Sequence, residues 1–189
     1  DVINVAAGTY IENINLRGKN ISLIGEDRET TIIDGDQNGS VVTFESGETG
    51  ATLLSHFTIT NGSGNLNEYG DTFGGGIYLE GSSPTLEFLV ITANNATTIY
   101  GKGGGIQCKS SSPKIANTII TNNSSDSGGG ISCTYGGSPI LDNVIISNNE
   151  AGNIGGGMMI NGSPTLTHVL LTGNSAQWRG GGVSISGEG

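Results

Sequence analysis

From residue 74 onward the apolar residues return in short alternating runs. An aliphatic residue or Met (Ile77, Ile106, Ile131, Met158, Val183) follows each Gly-Gly-Gly, and Leu79, Cys108, Cys133, Ile160 and Ile185 stand two positions later. A period of two puts both sets on one face of a β-strand. A second apolar series follows each Ser-Pro pair, with Leu86, Ile115, Leu141 and Leu166 in one column and Ile91, Ile120, Ile146 and Leu171 in another. No stretch carries a helical period, so the pattern predicts many short strands joined by Gly/Asn/Ser turns.

These strands belong to an internal repeat. The triple glycines begin at Gly74, Gly103, Gly128, Gly155 and Gly180, spaced by 29, 25, 27 and 25 residues. Each complete repeat carries Ser-Pro, at Pro84, Pro113, Pro139 and Pro164, and ten residues after each proline stands Asn94, Asn123, Asn149 or Asn174. The distance from triple glycine to proline varies, so insertions fall in that turn, while the segment after proline is fixed. A unit of about 25 residues without a helix cannot bury its apolar face alone, so successive copies must stack. The predicted fold is all-β: a right-handed, single-stranded parallel β-helix of about eight coils, rising ~4.8 Å per rung. One domain spans 1–189, with irregular N-terminal coils over 1–73 and the Gly-Gly-Gly repeats over 74–189, and the chain is expected to be a fragment of a longer one. In the N-terminal third Ile59 is expected to stack on Ile91, with Asn61-Gly62 one residue out of step with the asparagine column. Ser63 to Phe73 is the longest polar loop.

Composition narrows the classes. Of 189 residues 34% are hydrophobic and 34 are glycine, which disfavours a helical bundle; with no every-third glycine and only 4 prolines, a collagen-like chain is also excluded. The formal net charge of −10 repels nucleic-acid phosphate and anionic membrane over most of the surface, leaving cations and neutral surfaces as partners. No apolar run approaches the ~18 residues of a membrane span.

On the Gly-Gly-Gly-aliphatic, Ser-Pro and asparagine landmarks, and on the opening "INVAAGTYIENI", the chain resembles bacterial parallel β-helix repeat proteins of the pectin-lyase-like superfamily. A weaker similarity, through the Gly-Gly-aliphatic motif but without a Phe-x-x-Asn repeat, links it to chlamydial polymorphic outer-membrane proteins. The first resemblance implies the fold over essentially the whole chain. It says little about function, since such scaffolds serve lyases, hydrolases, adhesins and autotransporter passengers alike.

Candidate chemistry is sparse. "DGDQNGSVVTFE" spells a calcium loop with Asp34, Asp36, Asn38 and Glu45 as ligand-type residues. The flanking "TIID" and "SVVTFE" read as strands, which makes the segment a turn without the helices of an EF-hand; calcium is the one cofactor the pattern raises. The asparagine column is expected to form a hydrogen-bonded ladder inside a turn, and the triple glycines a tight bend rather than phosphate loops. Cys108 and Cys133 occupy equivalent positions on neighbouring coils. Parallel strands aim both Cβ atoms the same way, which favours stacked thiols over a bridge.

The resemblance to pectate lyases would require an Arg base beside clustered Asp, and Arg17, Arg28 and Arg179 sit at no matching offset. The column Glu87, Ala116, Asp142, Thr167 places its acids two coils apart, ~9.6 Å, at the upper edge for an inverting pair. His56 and His168 have no evident nucleophile beside them. Six residues after each proline stand Val90, Ile119, Ile145 and Leu170, flanked by Thr92, Thr121, Ser147 and Thr172. By alternation all eight point outward, as a half-apolar stripe of the kind that marks contact with a partner. The expectation is a secreted or cell-surface module, structural, adhesive or filament-forming, contacting protein or polysaccharide. The competing class is a polysaccharide lyase, glycoside hydrolase or polysaccharide-binding domain.

Overall fold

The computed structural model describes residues 1–186. Those residues form 25 strands and no helix, wound as a parallel β-solenoid. The strands line three faces. The proline face stacks Val2–Val5, Ser22–Gly25, Leu53–Ser55, Thr85–Glu87, Lys114–Ala116 and the leading halves of Ile140–Ser147 and Thr165–Thr172. The threonine face stacks Gly8–Ile11, Thr31–Asp34, Thr58–Thr60, Val90–Thr92, Ile119–Thr121 and the trailing halves of the same two long strands. The glycine face runs from Ile14–Asn15 through Val42–Phe44, Ile77–Glu80, Ile106–Lys109, Ile131–Thr134 and Met158–Ile160 to Val183–Ile185. A short fourth edge, Asn95–Ala96, Ser124–Ser127, Glu150–Ile154 and Ser175–Ala176, completes the last four coils.

The described residues thus make seven turns, not eight. In the long polar insertion Asn65–Leu66 pairs antiparallel with Thr72–Phe73 as a hairpin beside the third coil, adding no coil of its own.

Register follows the apolar columns. Val42, Ile77, Ile106, Ile131, Met158 and Val183 are successive Cα partners, as are Leu54, Leu86, Ile115, Leu141 and Leu166. Ile59 pairs with Ile91, as expected. The inward members merge into one apolar core along the axis. Cys108 and Cys133 are register partners inside it, buried and unbridged, and the contact with Cys133 together with burial pushes the Cys108 thiol well up. They pack as small apolar residues.

Two of the corners with unusual backbone frame these faces. Between the proline and threonine faces His56, Phe88, Asn117, Asn143 and His168 all take positive φ, between 50° and 62°. Their side chains stack outside: the His56 and Phe88 rings lie 4.9 Å apart, and Asn143 Nδ2 donates to Asn117 Oδ1 at 2.8 Å. At the entry to the glycine face the first glycine of each triplet also has positive φ. In the first four triplets the second leaves no space, since a Cβ on Gly104, for example, would lie 2.4 Å from the Ser124 carbonyl oxygen. Only glycine fits such an approach.

Candidate functional site

The asparagine column is a continuous hydrogen-bonded spine. Asn94, Asn123 and Asn149 each donate from Nδ2 at 3.0 Å to Oδ1 of the next asparagine along the axis, ending at Asn174. Each Nδ2 also donates to a carbonyl one coil back, those of Ile59, Ile91 and Ile120, and Asn174 Nδ2 does so to Ile146. At the other end Gly62 N donates to Asn94 Oδ1, so Gly62 holds the ladder position on the third coil. A Cβ there would strike the Gly75 carbonyl at 1.8 Å, which bars asparagine from that rung.

Glu48 was not legible in the repeat pattern. Only 1% exposed, its carboxylate accepts from Gly18 N at 2.7 Å, Ser46 N at 3.0 Å and Ser82 Oγ at 2.8 Å, tying together turns of successive coils. Desolvation pushes its pKa up, but these donors outweigh it and hold the carboxyl below its ordinary value.

The predicted stripe is laid out in register on the threonine face. Val90, Ile119, Ile145 and Leu170 are successive partners, and so are Thr92, Thr121, Ser147 and Thr172. Both columns alternate with the inward Ile91, Ile120, Ile146 and Leu171. Ile145 is 38% and Leu170 54% exposed, while Val90 and Ile119 are half-buried. Ser147 Oγ donates to Thr121 Oγ1 at 3.0 Å, which fixes hydroxyls along the edge of the stripe.

The calcium-type residues do not converge. Asp34 ends a threonine-face strand, where its Oδ1 accepts from Asp36 N and its Oδ2 from Asn61 Nδ2, both at 2.9 Å. Asn38 N donates to the Gly35 carbonyl within the turn. Glu45 follows a glycine-face strand and accepts from Asn15 Nδ2 at 2.9 Å. Among the described residues no group of three or more His, Cys, Asp or Glu is placed to hold a metal ion. Asp34 and Glu45 sit at the ends of strands on different faces, and both spend carboxylate oxygens on protein donors. Glu87, Ala116, Asp142 and Thr167 are in register as expected, with Asp142 against His168 Nδ1 at 3.3 Å on an exposed corner.

A cleft of about 550 Å³ opens between the hairpin insertion and the outer side of the glycine face. On its floor the Tyr78 hydroxyl donates to Glu80 Oε2 at 2.6 Å, and Lys109 Nζ pairs with Glu80 Oε1 at 2.6 Å. Burial first, then Glu80, raises the Tyr78 pKa well above the ordinary tyrosine value, while Lys109 and Tyr78 together lower that of Glu80. Beside them Gln107 is 1% exposed; its Nε2 donates to Thr134 Oγ1 at 2.7 Å and its Oε1 has no partner. Turning the amide over would only move the orphan from oxygen to nitrogen. An orphaned buried polar group costs about 1–3 kcal/mol. Tyr69 on the hairpin and Tyr135 after strand Ile131–Thr134 line the cleft at 80% and 74% exposure. The hairpin's length is the one sequence signal that pointed here.

The Chlamydia polymorphic membrane protein (Chlamydia_PMP) repeat matches residues 117–134, a stretch running from the αL corner Asn117 through Asn123 and the Gly128 triplet to Thr134. No curated protein and no solved structure matches the chain. The chain is a parallel β-helix repeat protein. Among the described residues no helix is long and apolar enough to cross a membrane.

Proposed function

We propose that this chain is part of a surface-exposed β-helix rod of the adhesive, autotransporter-passenger type, and that its threonine face is the contact surface. The observation that carries the reading is the in-register column Val90, Ile119, Ile145 and Leu170, which keeps aliphatic side chains at the surface over four consecutive rungs. A folding requirement does not account for it, since the core on the inner side of the same strands is already filled by Ile91, Ile120 and Ile146, all fully buried. The match to a polymorphic membrane protein repeat supports the surface location, and kinship with pectin-lyase-like scaffolds is part of the same reading. The occupant proposed for the stripe is a second copy of this chain, because an extended flat column that repeats along the axis is complementary to another of its kind.

The test is sedimentation velocity over a concentration series on the wild type and on Ile119→Lys/Ile145→Lys. Both substitutions fall at outward positions and are expected to leave the fold intact, which circular dichroism checks. The wild type is expected to associate and the variant to remain monomeric. Identical monomeric behaviour of the two overturns self-association through this face.

A further inference from the structure

We infer that the cleft on the glycine face binds an uncharged glycan. It lies on a different face from the aliphatic stripe, and the inference stands whether or not that stripe makes contacts. The cleft volume of about 550 Å³ falls within the ~300–1,000 Å³ usual for small-molecule sites.

The chemistry of the walls selects the ligand. Tyr69 and Tyr135 present rings that are almost fully exposed on a chain with few aromatics, and such rings offer a flat apolar face with a polar tip. The C–H face of a sugar ring is the complement of that surface. On the floor, donor capacity is largely spent: the Tyr78 hydroxyl is committed to Glu80 and the Lys109 ammonium is paired with the same carboxylate. What stays open at the surface is acceptor capacity at Glu45 Oε2 and the Glu68 carboxylate in the lining, above the orphaned Gln107 Oε1, which is itself buried. A ligand rich in hydroxyl donors fits this set. A uronate or sialylated glycan would bring negative charge into a lining where Glu45, Glu68 and Glu80 outnumber Lys102 and Lys109, on a chain of net charge −10. The glycine-face strands on the floor offer a peptide no edge to join, because Ile77–Glu80, Ile106–Lys109 and Ile131–Thr134 are each paired on both sides.

The experiment is isothermal titration of the folded chain with xylohexaose, cellohexaose and mannohexaose, with hexagalacturonate and an unstructured acidic peptide as comparators. At least one neutral hexasaccharide is expected to saturate the protein in the millimolar range or below, and to do so independently of salt. Tyr69→Ala and Tyr135→Ala, at exposed positions that leave the thermal midpoint in place, should each weaken binding about 3- to 10-fold. Ile119→Lys should leave it unchanged. Saturation by none of the neutral sugars overturns the inference, as does tighter binding of hexagalacturonate or the peptide. So does sugar binding that survives both tyrosine substitutions.

Discussion

Removing the side chain of Asn123 is the most direct test of what holds successive coils together. The side chain makes four hydrogen bonds: Nδ2 donates to the Ile91 carbonyl at 2.9 Å and to Asn149 Oδ1 at 3.0 Å, and Oδ1 accepts from Asn94 N at 3.1 Å and Asn94 Nδ2 at 3.0 Å. In Asn123→Ala three of the four partners are still satisfied. Asn149 Oδ1 keeps its bond from Asn123 N, Asn94 Nδ2 keeps the carbonyls of Ile59 and Thr92, and the Ile91 carbonyl keeps its place in the parallel ladder with Ile119–Thr121. The Asn94 N–H loses its acceptor at a site only 1% exposed, where water cannot take over. At about 1–3 kcal/mol for a buried unsatisfied group, the expected loss is about 2 kcal/mol. With a urea m-value of about 2 kcal/mol/M, the unfolding midpoint should fall by about 1 M. Asn174→Ala is the internal control. It deletes the same kind of bonds at the half-exposed end of the ladder, where water can substitute, and should cost about 1 kcal/mol. Denaturant melts of the two variants followed by circular dichroism decide the matter. Equal midpoint shifts, or a shift for Asn123→Ala corresponding to less than about 0.5 kcal/mol, would refute the idea that buried partner satisfaction makes the spine strong.

Two further outcomes follow from named groups. The folded-state pKa of Glu48 lies below its unfolded value, so its contribution is fully present above the ordinary glutamate pKa and is lost as pH falls through the lowered folded value. Glu48→Gln should therefore destabilise the chain by about 2 kcal/mol at neutral pH, with the gap to wild type closing in acid; a pH-independent gap would show that the charge is not what matters. For the turn at Asp34, thermal midpoints in calcium and in EGTA should coincide, because the carboxylates of Asp34 and Glu45 are engaged by protein donors. A calcium-dependent rise that is abolished by Asp36→Asn would restore the ion site.

The columns were readable because a stacked repeat writes each structural role at a fixed offset, and the period of two separates inside from outside within each strand. That is why Ile59 over Ile91, the Cys108 and Cys133 pair and the outward Ile119 and Ile145 could be placed without coordinates. The asparagine column slipped by one on the third coil for a local reason. Asn61 takes the αL position, φ 57°, that Ala93, Asn122 and Asn148 hold on later coils at 52–55°, so the ladder rung falls to Gly62. Glu48 was hidden because it has no repeat counterpart and its three donors come from three different turns. The cleft was hidden for the same reason. Tyr78 and Gln107 stand in a column where other coils carry Thr43, Ser132 and Met159, and the facing wall is an insertion that occurs once.

The two outer surfaces differ in a way that follows from how a solenoid tolerates change. Every internal rung is hydrogen-bonded on both sides, so an inward substitution there disturbs two neighbouring coils, and Gly75, Gly104, Gly129 and Gly156 leave no space for a side chain. Variation is thereby pushed to outward positions and to turns. Where outward residues repeat, as Ile119 and Ile145 do, the surface is periodic along the axis and matches only a partner that is itself extended or periodic. Where one coil carries an insertion, as the third does, the symmetry is broken at a single height and the pocket formed there suits one discrete ligand. The threonine face thereby suits the proposed self-association, and the cleft beside the hairpin the proposed glycan. Separate variants on each should abolish one property while leaving the other intact.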